Sequence, residues 1–358
     1  MKRLLILLSI VVIFPIFTLK TSADEGIDKY IDEFRDLLPS EYMEFSEPGE
    51  LTNSLSMDSL ISGLFNRLSE GRGNISSFAL TLIGITALMS VASLCHDKIS
   101  DMATAAAGIV CSVLIFSALN PLIEMVVNEI EKINGFFTSL IPVFVGITAL
   151  GGSASTASVQ AVGMSTALSL VGGLAGRIFA SLSSLGLALS LLSSFGNEGI
   201  TSVFKGLKGI FYWATGIFTA ILTASFSLQN LIASSADSAT LRAAKYAASG
   251  LIPVVGSTVS SALSTLASGL SYAKGIVGGG AIAVILYMAI GPLSLLLVYR
   301  LVMSLCIILS DMIGAVAPSK MISSFRFAVD MTITVYALSA LIYIFEIVIF
   351  IRTGVALS

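Results

Sequence analysis

The stretch SFSLQNLIASSADSATLRAAKYAASGLIPVVGSTVS, Ser225 to Ser260, decides the reading of this chain. Three charges, Asp237, Arg242 and Lys245, lie between two apolar segments. A turn at Gly250 and Pro253 then leads through Gly256 into a run rich in Ser, Gly and Ala. A segment that only had to cross a bilayer would carry Leu and Ile here. Small and polar residues suit a packed helix interface or a water-lined path. The three charges read as caps or flanks of a helix, with Asp237 placed where an acid complements the N-terminal dipole.

Outward from that stretch the chain is strongly apolar. Of its 358 residues, 55% are hydrophobic and 11% charged, with mean hydropathy +0.95. Soluble domains carry about 25% charged residues. A chain this apolar cannot hide its surface in one water-soluble core, and it lacks the alternation of a barrel. The fold class expected is all-α, a polytopic helical membrane protein.

Apolar segments run roughly from Ile75 to Cys95, Met102 to Val127, Phe136 to Gly151, Ser158 to Gly176, Ile178 to Phe195, Gly209 to Ser234, Ala247 to Ala273, Ile276 to Tyr299, Leu301 to Pro318 and Phe327 to Ile351. A spanning helix needs about 20 residues. The segments at Ser158, Ile178 and Leu301 are short or weakly apolar, and re-entrant or broken helices are an alternative for them. The expectation is about seven to ten membrane segments.

The first 74 residues read differently. Residues 1–23 combine Lys2 and Arg3, an apolar run and the small ending Thr21-Ser22-Ala23, the pattern of a secretory signal peptide. From Asp24 to Arg72 there are twelve acids and four bases, a net of −8, against twelve bases and ten acids, a net of +2, from Asn74 onward. Residues 24–74 are expected to be an extracytoplasmic helical segment. Ile27, Tyr30, Ile31, Phe34, Leu37 and Leu38 recur at helical spacing, and Met57, Leu60, Ile61, Leu64, Phe65 and Leu68 form a second stripe. Two helices in about 50 residues make no large core, so these stripes need each other, the membrane surface or another protein. Residues 75–358 are the membrane domain.

Charges inside apolar runs cost about 2.5 to 3.5 kcal/mol each on insertion scales and mark candidate function. Asp311, Asp330 and Glu346 stand out. Arg326 and Asp330 are four apart, share a helix face and can pair. Glu346 reads either as the interface end of the last span or as a transport or subunit-contact residue. Gly172 with Gly176, and Gly275 with Gly279, give the GxxxG spacing that allows close helix approach. The three cysteines, Cys95, Cys111 and Cys306, show no metal-ligand spacing and read as small buried hydrophobes. There is one histidine, His96. No phosphate loop, no nucleophile with a base and no basic surface interleaved with aromatics appears. The residues thus point away from an enzyme, a cofactor, a metal site or a nucleic-acid partner.

The pieces Ala236 to Ser238, Leu241-Arg242, Ala244-Lys245 and Ile252 to Gly256 carry a resemblance, with the Gly291-Pro292 element and the closing span Tyr336 to Ile351. With the exported acidic leader, they make the chain resemble the stage III sporulation protein AE family of endospore-forming bacteria. The resemblance implies a component of the mother-cell membrane facing the forespore, within a channel or feeding complex that supports late forespore gene expression. The implied partners are the other subunits of the stage III sporulation A complex, including a separate ATPase and ring-forming proteins, together with membrane lipid. It implies no catalytic residue. Two other functions fit the residues: a self-contained secondary transporter, with Pro253 at a broken helix and Asp330 or Glu346 coupling to ions, and a non-conducting scaffold.

Overall fold

In a computed structural model the described residues are 27–38, 72–94, 98–151, 154–172, 180–193, 202–217 with short pieces up to 227, and 256–352. They are helical throughout apart from turns. The helices are α1 (27–36), α2 (Arg72–Leu94), α3 (Lys98–Leu150), α4 (Ala154–Leu170), α5 (Ala180–Ser193), α6 (202–217), α7 (Gly256–Ile313) and α8 (Val316–Arg352).

Three of these are long and apolar enough to cross a membrane: Ala106–Leu150 within α3, Ser268–Ile313 within α7, and α8. That is fewer than the seven to ten segments expected. Part of the difference has a physical cause. The expected breaks between Val127 and Phe136, at Lys274 and at Arg300 are not breaks. α3 runs 53 residues through Pro121 and Pro142, and α7 runs 58 residues through Pro292. Neighbouring helices hold such prolines in a continuous helix. At about 1.5 Å per residue, the 46-residue apolar part of α7 reaches about 69 Å, over twice the roughly 30 Å hydrocarbon core. The segments expected at Ser158, Ile178, Gly209 and Ala247 fall partly outside the described residues.

α7 and α8 form an antiparallel hairpin. Gly314 turns the chain with φ +78°, a left-handed conformation natural to glycine. The Gly314 amide donates to the Asp311 carbonyl at 3.1 Å and the Ala315 amide to the Ser310 carbonyl at 2.9 Å. The register is fixed further along. The Tyr336 hydroxyl donates to the Met288 carbonyl at 3.2 Å. A Cβ at Gly278 would lie 2.5 Å from Cγ1 of Ile351, so the backbone there approaches α8 as only glycine allows. The close approach is made by Gly278. Gly275, singled out by its GxxxG spacing, has open space where its Cβ would be.

α3 lies alongside α8 in parallel. Ser112 meets Met321 at 3.2 Å, Tyr343 donates to the Asn134 side chain, and Phe144 stacks on Phe350 with centroids 4.1 Å apart. Phe137, Phe144, Tyr336, Tyr343 and Phe350 are fully buried, so the shared interior is filled by large rings.

The first amphipathic stripe finds its partner in this body. Phe34 and Leu38 are buried in the common core. The Tyr30 ring occupies the place a Cβ on Gly146 would take, and Ile27 lies beside Gly269. Asp28, Asp32, Glu33 and Asp36 stay exposed. The second stripe, Met57 to Leu68, lies outside the described residues.

Candidate functional site

The antiparallel register of α7 and α8 sets Arg300 against Asp330. Arg300 Nε donates to Asp330 Oδ1 at 2.5 Å, with both side chains part-exposed. This departs from the pairing expected on sequence. Arg326 does share the face of Asp330, yet its guanidinium reaches across to Ser304 Oγ at 3.4 Å. Ser304 in turn donates to the Arg300 carbonyl at 2.8 Å. A partner thirty residues away on an adjacent helix displaced the local i,i+4 one.

α6 brings a third cation. Lys208 Nζ lies 4.8 Å from the Phe204 ring centroid and 4.6 Å from that of Phe327, the residue after Arg326. Phe211 and Tyr212 pack against the same Phe327 ring. Burial holds the Lys208 ammonium below its ordinary pKa; the Arg326 charge pushes the same way and Asp330 opposes. Lys208 lies outside the three long apolar helices.

α3 carries acids of its own. By the Ser112–Met321 and Asn134–Tyr343 contacts, Glu124 lies within one turn of the level of Asp330, whereas Glu129, Glu131 and Lys132 lie level with residues 338–341, further towards the far end. Lys132 donates to Glu129 at 2.7 Å and Asn120 to Glu124 at 3.0 Å. Arg300, Asp330, Arg326 and Lys208 thus form a charged belt across the α7–α8 hairpin and α6, between two apolar zones of the hairpin.

Two further ionisable side chains are buried in the apolar zone beyond the belt. Glu346 of α8 and Lys274 of α7 are each 1% exposed. Lys274 Nζ lies 5.2 Å from the ring centroid of Phe350, one turn from Glu346. Glu346 therefore sits inside the packed hairpin, on the protein side of the last helix. Lys274, Lys208 and Arg300 were not singled out on sequence. Lys274 and Arg300 stood at the edges of apolar segments and read as punctuation between spans.

Of the other sequence candidates, Asp311 is exposed in the last turn of α7 and its carbonyl caps the Gly314 turn. Gly256 opens α7. Asp237, Arg242, Lys245 and Pro253 lie outside the described residues. Cys111 and Cys306 are both free and fully buried, as small hydrophobes would be. Among the described residues no three His, Cys, Asp or Glu side chains gather as a metal would require.

Sequence comparison bears on what this bundle serves. The family model for stage III sporulation protein AE matches residues 5–355. The chain belongs to that family. It is also similar to a protein of Bacillus subtilis (strain 168) named stage III sporulation protein AE, with 28% identity over 301 residues, covering 79% of this chain and 75% of the relative. No solved structure matches the chain significantly. Family membership supports a role in sporulation, and the three apolar helices fit a membrane protein.

Proposed function

We propose that the chain is a membrane subunit of a transport complex that links mother cell and forespore and is needed for late forespore development and gene expression. The observation that carries this reading is the family match over residues 5–355 on a chain with three helices able to cross a membrane. Its partners are the other stage III sporulation A subunits, with a separate ATPase and ring-forming proteins. It lies multi-pass in the mother-cell membrane with residues 24–74 outside the cytoplasm. Charge placement supports that orientation. Lys208, Arg300, Lys320 and Arg326 gather from the belt towards the Gly314 turn, whereas α1 docks beside Gly146 and Gly269 at the opposite end of the bundle.

The filled interior favours a platform over a conduit along the bundle axis. Rings close the space between α3 and α8, and Gly278 brings α7 against α8. With the apolar face of α1 already packed, its exposed acids are what it offers to ring-forming partners. The test is deletion of the gene in its spore-forming host, complemented by a tagged copy. Expected are loss of late forespore gene expression and recovery of the ATPase with the tagged chain. Normal sporulation in the deletion strain would sink the proposal.

Buried Glu346 and Lys274 favour one second reading, an ion-coupled carrier. Glu346→Gln keeps the shape and removes the titratable group. Wild-type spore yield in that variant would count against ion coupling.

A further inference from the structure

We propose that Lys208, Arg300 and Arg326 form a binding site for the phosphate of an anionic membrane phospholipid. Three cations surround one carboxylate. Arg300 is committed to Asp330 through the 2.5 Å ion pair, and among the described residues no second acid pairs with Arg326 or Lys208. Arg326 is held in place by Ser304, while its Nε is buried without a hydrogen-bond partner among the described residues. A buried guanidinium N–H left unpaired is costly, and a phosphate oxygen is the acceptor its planar fork suits best. Lys208 is fixed beside it over the Phe204 and Phe327 rings. Two like charges held together by packing gain most from an anion between them.

The surroundings select a lipid over a soluble phosphate. Tyr212 and Trp213, on the same helix as Lys208, are 65% and 70% exposed, as aromatics are at a membrane–water interface. Leu297 and Leu301 flank Arg300 along α7 and are also exposed, at 51% and 58%. A headgroup phosphate at the cations would thus leave its acyl chains against apolar side chains. Basic pockets between helices on the cytoplasmic side hold anionic headgroups in this way.

The test uses the full chain purified in neutral detergent, with thermal unfolding followed as phosphatidylglycerol, phosphatidylcholine or inorganic phosphate is added. Phosphatidylglycerol is expected to raise Tm by several degrees, and the other two to leave it unchanged. The Lys208→Gln/Arg326→Gln variant, which spares the Arg300–Asp330 pair, is expected to bind phosphatidylglycerol about tenfold or more weakly. Lys208→Arg/Arg326→Lys, which keeps the charge, should restore most of the response. Should the double Gln variant fail to fold, each single Gln variant is scored by phosphatidylglycerol retained in native mass spectrometry, with at least partial loss expected. An equal shift with phosphatidylcholine would overturn the charge-based site. An equal shift with inorganic phosphate would overturn the lipid assignment. An undiminished response or retention in the Gln variants would place the lipid elsewhere.

Discussion

The α7–α8 hairpin has two halves of similar composition and different surroundings. Between Arg300–Asp330 and the far end, residues 274–299 face 331–351 through a glycine approach, a tyrosine–carbonyl hydrogen bond and buried Lys274 and Glu346. Between Arg300–Asp330 and the Gly314 turn, Leu301, Leu305, Ile308, Leu309 and Met312 are exposed, Met312 at 79%. Both halves read as apolar runs. What separates them is the partner: protein on most sides of the first half, and an open flank on the second. Apolar composition records that water is excluded, and it does not record whether helix or lipid excludes it.

The comparison breaks most sharply at Gly278. A Cβ there would fall 2.5 Å from Ile351 Cγ1 and 2.7 Å from its Cδ1. Gly278→Leu should destabilise the bundle by about 3 kcal/mol in detergent unfolding, at the upper end of overpacking effects. Gly275→Ala, with open space at its Cβ in a helix interior, should be neutral or stabilising, by up to about 1 kcal/mol. Equal effects at both positions would mean that the hairpin packs in another register.

Tyr343 sharpens the same half. Its ring is fully buried against Phe137 and its hydroxyl donates to Asn134. Tyr343→Phe should cost about 1 kcal/mol, the usual net worth of such a bond with some desolvation added. A double-mutant cycle with Asn134→Leu should show the two losses to be coupled. Strict additivity would remove the contact that aligns α3 with α8.

The boundary between the halves is softer. Arg300 and Asp330 are 46% and 32% exposed in their side chains, so solvent screening limits the pair. Arg300→Met should cost under about 1 kcal/mol and should weaken with added salt less than a fully exposed pair would. A loss of several kcal/mol would mean that Asp330 is left buried and uncompensated.

Helical class and helices apolar enough to cross a membrane follow from composition, and the α1 stripe follows from spacing, because each depends on local pattern. Glu346 was visible as a charge in an apolar run. Its place inside the hairpin was not, because burial depends on which helix covers that face. Lys274 and Arg300 were hidden by the same rule that exposed Glu346. A charge between two apolar runs reads as a loop until a facing helix supplies its surroundings, here the Phe350 ring for Lys274 and Asp330 for Arg300. The Arg326–Asp330 pairing failed for a related reason. The i,i+4 geometry permits it, yet a guanidinium on the neighbouring helix reaches the same carboxylate.

The smallest effect belongs to the turn half. Met312 is 79% exposed and has little packing to lose, so Met312→Ser should alter stability in detergent by under about 0.5 kcal/mol. Its consequence should appear in bilayers or in the assembled complex. If the flank faces lipid, a polar side chain there weakens membrane insertion. If it faces another subunit, the variant inserts normally and fails to recover that subunit. A large loss of stability in detergent would instead show that the turn half is packed within the chain itself, and the contrast between the two halves would disappear.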